Sequence, residues 1–308
     1  MMQPQKVSFD SHGHKIAGHL YLPKDKQVKN QAGVVISHPM TGVKEQTAGL
    51  YASELCKLGF VALTFDAAYQ GESEGLPRAL EDPWQRSEDV KNAVTFLETL
   101  DDVDPEKIGA LGICASGGYV PFAAQTDVRI KAVAGVSAAD VGSLFRDGYQ
   151  FSTTPEQLQQ MLAQSAKDRT NEAKGQPPRL EWVLPRSKED ADKMPARSLF
   201  QEAYDYYLTP RAQHPNAIGQ YLFRSVDMLV QFSAYDYVSL ISPRPLLMIA
   251  GSDADTLYFS KAAIEKAKEP KELFIIDGAS HVDMYDIPQY VAAAVQKLDQ
   301  FFTQHLTQ

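Results

Sequence analysis

A cysteine stands where a predicted buried strand turns into a helix. Residues 107–111 are apolar and typical of a strand, and residues 119–125 have a helical pattern. Between them, residues 112–118 read Gly-Ile-Cys-Ala-Ser-Gly-Gly. A glycine-framed turn of this kind, usually written G-x-S-x-G, holds a nucleophile at its apex. Here Cys114 takes the apex. We expect the following helix and a nearby imidazolium to lower its pKa, so that it attacks as a thiolate.

Two further groups that acyl transfer requires follow later strands of the chain. A nucleophile needs a base to accept its proton and a third group to orient that base. His281 follows the last predicted strand, and Asp253 and Asp255 follow the strand before it. Because functional groups in parallel sheets gather at the carboxyl ends of strands, we expect these side chains to approach Cys114. Asp255 is the preferred orienting acid, since Asp253 can cap the turn, and Asp253 stays the alternative.

Ser116 is the competing nucleophile, because the spacing Cys114-x-Ser116-x-Gly118 also brackets a serine. We prefer Cys114, since it stands two residues after the glycine that ends the strand. Ser116 then takes the small-residue position where the helix packs against the strand. The remaining alternative for Cys114 is that of a buried core cysteine without a chemical role.

The oxyanion that forms during acyl transfer needs two backbone N–H donors. One is the N–H of Ala115, directly after the nucleophile, and the other is expected from the loop after an early strand. Met40 is the candidate in that loop, because Pro39 has no N–H to give. His38 precedes both, and we interpret it as a structural residue.

Alternating strands and helices must position these groups. Residues 6–22 predict an antiparallel hairpin, and strand–helix alternation follows as far as residue 139 and resumes at residue 243. This order predicts an α/β fold built on a mostly parallel, doubly wound sheet. We expect residues 1–139 and 243–308 to form this core.

Residues 140–242 interrupt the alternation with a mainly helical segment, including a helix predicted over 221–232. A long insertion of this kind predicts a lid over the active edge of the sheet. Its aromatic side chains indicate either an apolar or aromatic acyl pocket or the packing core of the lid itself. These aromatic residues are Phe200, Tyr204, Tyr207, Tyr221 and Phe232.

Composition narrows the class of partner. The net charge of -9 is spread along the chain, which argues against nucleic acid or an anionic membrane as the main partner. The chain starts with polar residues and has no long apolar run, so we expect a cytoplasmic protein without a signal peptide or membrane span. We expect no metal at His12, His14 or His19, where no carboxylate or thiol cluster adjoins, and no cofactor. A homodimer is left open.

The motifs together resemble the dienelactone-hydrolase-like branch of the α/β-hydrolase superfamily. A lidded group of this branch, with bacterial hydrolases and fungal polyketide transferases, is more similar still. The matching segments are residues 38–46, 66–75, 112–118, 242–245 and 281–286. The resemblance implies an α/β-hydrolase fold and esterase, thioesterase, lactonase or acyl-transfer chemistry. The chain departs from dienelactone hydrolases in its long lid and at Pro39, where they have a glutamate that holds the resting thiol.

Our leading hypothesis is a hydrolase of small-molecule carboxylic esters or thioesters, or of lactones. It would use a Cys-His-Asp triad and a covalent acyl-enzyme on Cys114. The first alternative is an acyltransferase on the same site, in which the lid excludes water. The second is a ligand-binding or thiol-sensing protein without catalytic turnover.

Overall fold

The computed structural model describes residues 2–23 and 31–307, and its centre is one eight-stranded sheet. The strands are β1 (Gln5–Ser11), β2 (His14–Tyr21), β3 (Gly33–Ser37), β4 (Val61–Phe65), β5 (Ile108–Ile113), β6 (Ile130–Val136), β7 (Leu180–Trp182), β8 (Gln220–Leu222), β9 (Leu246–Gly251) and β10 (Lys271–Ile276). The helices are α1 (Thr47–Lys57), α2 (Pro83–Glu98), α3 (Ser116–Thr126), α4 (Val141–Arg146), α5 (Pro155–Ala173), α6 (Lys188–Ala191), α7 (Leu199–Leu208), α8 (Val226–Gln231), α9 (Leu257–Lys266), α10 (Asp283–Asp286) and α11 (Pro288–Leu306).

The strand order of the main sheet is β1-β2-β4-β3-β5-β6-β9-β10. The hairpin β1-β2 is antiparallel and joins β4 in antiparallel register, while the strands from β4 to β10 are parallel to one another. The predicted mostly parallel sheet with an N-terminal hairpin is therefore confirmed. The carboxyl ends of β3, β5, β9 and β10 point to the same edge, which is where the loops with Met40, Cys114, Asp255 and His281 begin.

The central strands are buried along their whole length, which explains their continuous apolar sequences. Successive side chains of a strand point to opposite faces and so contribute to different cores. In β5, Ala110 packs in the core that contains Val94 of α2, whereas Leu111 packs in the core that contains Leu55 of α1 and Phe302 of α11. The sheet is thus covered by helices on both faces.

The segment between β6 and β9 is mainly helical, as expected, but it also contains a small antiparallel sheet of β7 and β8. The predicted helix over 221–232 is wrong at its start. Residues 220–222 pair with β7, and α8 begins only at Val226, after a single 3₁₀ turn. Pairing with a distant strand overrode the local helical pattern there. Within the described ranges, no helix is both long enough and apolar enough to cross a membrane.

Candidate active site

Cys114 occupies the sharp turn between β5 and α3. Its backbone φ is 56°, in the left-handed region that non-glycine residues seldom adopt. Three backbone hydrogen bonds hold this conformation. The Cys114 N–H donates to Val136 O (3.1 Å), and the Cys114 carbonyl accepts from Gly117 N–H (2.8 Å) and Ala139 N–H (2.9 Å). The apex is therefore a strained position that its surroundings enforce, as is common at functional sites.

Two glycines of the predicted motif allow this close turn. A Cβ atom on Gly112 would lie 1.8 Å from the carbonyl oxygen of Ser116, and one on Gly117 would lie 2.5 Å from Cβ of Ala138. Neither distance is compatible with a side chain, so the start of α3 packs against its own strand and the loop after β6 only because these residues are glycine.

The Ser116 hydroxyl is buried beneath the turn. It donates to the His38 carbonyl oxygen (2.6 Å), accepts from the Arg86 guanidinium (3.1 Å) and lies 2.9 Å from the Ser37 hydroxyl. All of its hydrogen-bonding capacity is used by the protein. This geometry favours Cys114 over Ser116 as the nucleophile.

Cys114 is half-buried and lines a small cavity of about 50 Å³. Most of the wall is apolar, and much of it comes from the segment between β6 and β9. The other lining residues are Pro39, Met40, Thr41, Ala115, Ala139, Val141, Leu144, Val183, Leu184, Leu199, Phe200, Ala203, Tyr207 and Tyr285.

Two of the five aromatic residues predicted for an acyl pocket, Phe200 and Tyr207, line this cavity. The other three do not. Tyr221, a residue of β8, packs edge-on against Phe145. Phe232 packs in the core against the rings of Tyr119 and Phe122. Tyr204 is half-buried and lies on α7 with Phe200 and Tyr207, but it does not line the cavity.

His281 is completely buried and does not line the cavity. Its Nδ1 lies 2.5 Å from the Thr256 hydroxyl, and its Nε2 lies 3.0 Å from the Tyr285 hydroxyl. Burial lowers the pKa of His281 to about 3, so the imidazole is neutral at neutral pH. Sequence reasoning missed both hydroxyl partners. Only their positions in the sequence could have indicated these two residues. Thr256 directly follows Asp255, and Tyr285 comes four residues after His281.

Neither predicted acid is hydrogen-bonded to His281. The Asp255 carboxylate accepts from the Tyr149 hydroxyl and from Leu199 N–H (2.7 Å). The Asp253 carboxylate pairs with Arg197 (2.8 Å). Both are taken up by residues of the segment between β6 and β9, and the imidazole faces a neutral hydroxyl instead. The expected Cys-His-Asp hydrogen-bond chain is therefore not assembled in this structure.

The expectation of a lowered thiol pKa is also wrong. Burial raises the pKa of Cys114, and the Tyr285 hydroxyl and the Ala115 N–H offset that rise only partly. Among the described residues, no hydrogen bond joins Cys114 to His281 directly. The resting pair is thus a neutral thiol and a neutral imidazole.

The two predicted oxyanion donors lie at the cavity wall. Within the described part of the chain, Met40 N–H donates to no acceptor, and Ala115 N–H contacts only the Cys114 sulfur. Arg86 fixes the approach to Met40, since its guanidinium donates to the His38 carbonyl oxygen (2.7 Å). His38 itself is buried, and its Nε2 accepts from Ala67 N–H (3.0 Å), which agrees with a structural role.

Among the residues that the structure describes, one cluster has ligand atoms close enough for a metal ion, namely those of His19, Glu45 and Glu72. The ammonium of Lys44 already lies among them, 2.8 Å from Glu45 and 2.7 Å from Glu72, and it also pairs with the buried Asp66 (2.8 Å). The cluster is therefore an ion-pair network around Lys44.

Comparison with known proteins agrees with this architecture. The model of the dienelactone hydrolase family matches residues 16–160. Uncharacterized protein YcjY of Escherichia coli K12 is 37% identical over 310 residues, which cover 99% of this chain and 100% of YcjY. The crystal structure of hypothetical protein PA2218 from Pseudomonas aeruginosa has a TM-score of 0.92 at 35% identity, over 99% of this chain and 94% of that one.

Relatives with named activities match less of the chain. Thiohydrolase aneE of Aspergillus aculeatus is 38% identical over 124 residues, which are 40% of this chain and 38% of aneE. A further thiohydrolase and a polyketide transferase are also among the relatives. The long match to YcjY, the family model and the fold together lead to one conclusion: the chain belongs to the dienelactone hydrolase family and is an α/β-hydrolase enzyme.

Proposed function

We propose that this enzyme hydrolyses thioesters and carboxylic esters, lactones included, through a covalent acyl-enzyme on Cys114. The observation that carries the proposal is the strained apex, which places Cys114 in the wall of an apolar cavity beside the N–H groups of Met40 and Ala115, neither of which donates to an oxygen acceptor among the described residues. The sulfur would attack the acyl carbon while both N–H groups bind the oxyanion. His281, oriented by the Thr256 hydroxyl, would accept the thiol proton and return it to the leaving group. A water molecule, deprotonated by His281, would then attack the acyl-enzyme and release the acyl group from Cys114 as a carboxylic acid.

Thioesters are the substrates that this site would cleave most readily. A leaving thiol has a pKa near that of the attacking cysteine, whereas the alkoxide that leaves an ordinary ester is far more basic. The resting thiol is neutral, so the site would gain most from a substrate whose leaving group is easily expelled. The thiohydrolase relatives support the same preference.

The cavity wall suggests the acyl group. An apolar chain would pack against Val141, Leu144 and Phe200. One polar atom of this wall, the Tyr207 hydroxyl, is buried and has no hydrogen-bond partner among the described residues. Because an unpaired buried hydroxyl costs about 1–3 kcal/mol, we propose that it binds an oxygen atom of the substrate.

We also propose that residues 140–242 act as a lid. The segment supplies much of the cavity wall, and ionic contacts hold it to the loops around His281. These contacts are Arg197 with Asp283 (2.9 Å) and Arg211 with Asp286 (2.9 Å). A closed lid would limit water, which supports acyl transfer to an alcohol or amine as the second candidate function. Product analysis with and without such an acceptor separates the two candidates.

A reducing compartment fits this chemistry. Cys56 and Cys114 are both free thiols. Because disulfides are rare in the cytosol and a nucleophilic thiol stays reduced there, we propose a cytoplasmic location.

The test is turnover of N-acetylcysteamine thioesters and p-nitrophenyl esters by wild type, Cys114→Ala and the matched variant Cys56→Ala. We expect Cys114→Ala to lose at least about 10³-fold in kcat and to form no acyl adduct by intact mass. Cys56, buried in α1 away from the cavity, should tolerate alanine with nearly full activity. Undiminished turnover by Cys114→Ala would overturn the proposal.

A further inference from the structure

The Tyr285 hydroxyl stands between the cavity and the buried imidazole. It lies 3.0 Å from His281 Nε2 and also interacts with the Cys114 thiol. Tyr285 and Cys114 line the same cavity, whereas His281 lies behind them without reaching it. Within the described residues, this hydroxyl is therefore a group that contacts both the thiol and the imidazole.

The position of the Tyr285 ring is fixed from several sides. The ring is buried and packs edge-on against Tyr206 at a centroid distance of 5.1 Å. The backbone on either side is also anchored: the Met284 carbonyl accepts from the Tyr51 hydroxyl (2.8 Å), and Asp286 pairs with Arg211. A side chain held in this way keeps its hydroxyl in place without a rearrangement during the reaction.

We propose that Tyr285 is a catalytic residue that relays the proton between Cys114 and His281. This inference rests on the proposed function of Cys114. In the productive tautomer, His281 Nδ1–H donates to the Thr256 hydroxyl oxygen, and Nε2 accepts from the Tyr285 O–H. The thiol proton moves to the Tyr285 oxygen as the tyrosine proton moves to Nε2.

Each bond and each proton is accounted for in acylation, from attack of the sulfur to departure of the leaving group. The Cys114 sulfur forms a bond to the acyl carbon, and the oxyanion then collapses with cleavage of the bond to the leaving thiol or alcohol. The imidazolium returns its proton through the Tyr285 hydroxyl to that leaving group. Burial raises the pKa of Tyr285 well above its usual range, so the hydroxyl passes one proton as it receives another and does not ionise separately.

The wild-type enzyme provides the first test, which needs no variant. Single-turnover acylation by an N-acetylcysteamine thioester is measured in mixtures of H₂O and D₂O. A relay moves two protons in one step, so we expect the rate to bow downward as the deuterium fraction rises. A strictly linear dependence would mean one proton in transfer and would overturn the relay.

The second test compares Tyr285→Phe with Tyr206→Phe. Tyr206 is the buried neighbour whose ring packs against Tyr285 but which does not line the cavity with Cys114. We expect Tyr285→Phe to slow acylation by about 10²-fold or more, in line with the loss of a general acid–base group. Its solvent isotope dependence should become linear. Tyr206→Phe should keep the wild-type rate and the curved dependence.

Two outcomes separate failure of the relay from failure of the proposed function. If Tyr285→Phe acylates at the wild-type rate while Cys114→Ala forms no adduct, the relay is wrong and the nucleophile stands. If Cys114→Ala is itself fully active, the proposed function is wrong, and the relay, which rests on it, is wrong as well. Thermal unfolding of each variant shows whether a rate loss follows from loss of structure.

Discussion

Cys114 is fixed by backbone hydrogen bonds within the core of the fold, whereas the two carboxylates expected to serve His281 are held by residues 140–242. On the nucleophile side, Val136 and Ala139 belong to the neighbouring strand and its loop. On the base side, Asp255 is held by Leu199 and Tyr149, which belong to the inserted segment. The conformation of Cys114 is therefore determined by the sheet. The hydrogen bonds of Asp255 are determined by a segment of the chain that lies outside the sheet.

This contrast suggests how the site divides its tasks. The proposed nucleophile, Cys114, has a strained backbone that needs rigid support, and the parallel sheet supplies it. The carboxylates expected to serve the imidazole instead connect the core to residues 140–242. A movement of this segment would release Asp255 and Asp253 from their present partners. The hydrogen bonds of the two carboxylates thus depend on this segment, whereas those of His281 to Thr256 and Tyr285 do not.

The largest expected effect comes from breaking the nucleophile side with Gly112→Ala. The added Cβ would lie 1.8 Å from the Ser116 carbonyl oxygen, so β5 and α3 would have to separate. We expect a loss of about 3 kcal/mol or more in the free energy of unfolding, measured by urea denaturation.

Gly175→Ala is the control for that substitution. Gly175 has a positive φ of 83° and no described atom within 4 Å of the added Cβ, so only backbone strain of about 1–2 kcal/mol is expected. Equal losses in the two variants would mean that the close packing at Gly112 is not what supports the turn.

A smaller effect is expected on the base side, where Thr256→Val is compared with Asp255→Asn. The valine leaves the buried Nδ1–H of His281 unpaired, which costs about 1–3 kcal/mol and should lower kcat about 10-fold to 100-fold. Asp255→Asn removes a charge that does not contact the imidazole, so a decrease below about threefold is expected. Steady-state kinetics on one thioester checks both. A larger decrease for Asp255→Asn would mean that lid movement delivers the carboxylate to His281 during turnover, which would restore the triad predicted from the sequence.

The smallest effect concerns pH. Burial holds the pKa of His281 at about 3, below its ordinary value of 6.5. Between these two values, His281 is protonated in the unfolded chain but neutral in the folded protein, so acidification favours unfolding. This residue alone should lower the free energy of unfolding by about 1.4 kcal/mol between pH 7.5 and pH 5.5. Urea denaturation at both values, for wild type and His281→Gln, isolates the contribution as the difference between the two pH dependences. Identical pH dependences would contradict a buried neutral imidazole.

The parts of the fold that could be predicted from the sequence are those with continuous local signals. The central strands are unbroken apolar runs, so the end of β5, and with it Cys114, could be located from the sequence. His281 follows the edge strand β10, whose apolar second half and the turn Gly278-Ala279-Ser280 after it gave the signal. The family resemblance came from the same segments and is confirmed. The glycines at 112 and 117 indicated the turn because only glycine fits so close an approach.

The partners of the imidazole could not be predicted in this way. Asp255 follows the expected strand, but the N–H of Leu199, far away in sequence, binds it. Which hydroxyl or carboxylate faces a buried ring depends on the tertiary packing of separate segments of the chain, and no local pattern records that. The same cause explains β8, whose three residues pair with a strand forty residues earlier in the chain.

The buried guanidinium of Arg86 has a consequence for the tolerances of the site. It donates to the His38 carbonyl, just before the loop with Met40, and to the Ser116 hydroxyl, just after Ala115. The loops after β3 and β5 are thus tied to one planar group on α2. A shift of α2 would therefore displace both loops together, and we expect the N–H groups of Met40 and Ala115 to keep their spacing better than if separate side chains held the two loops.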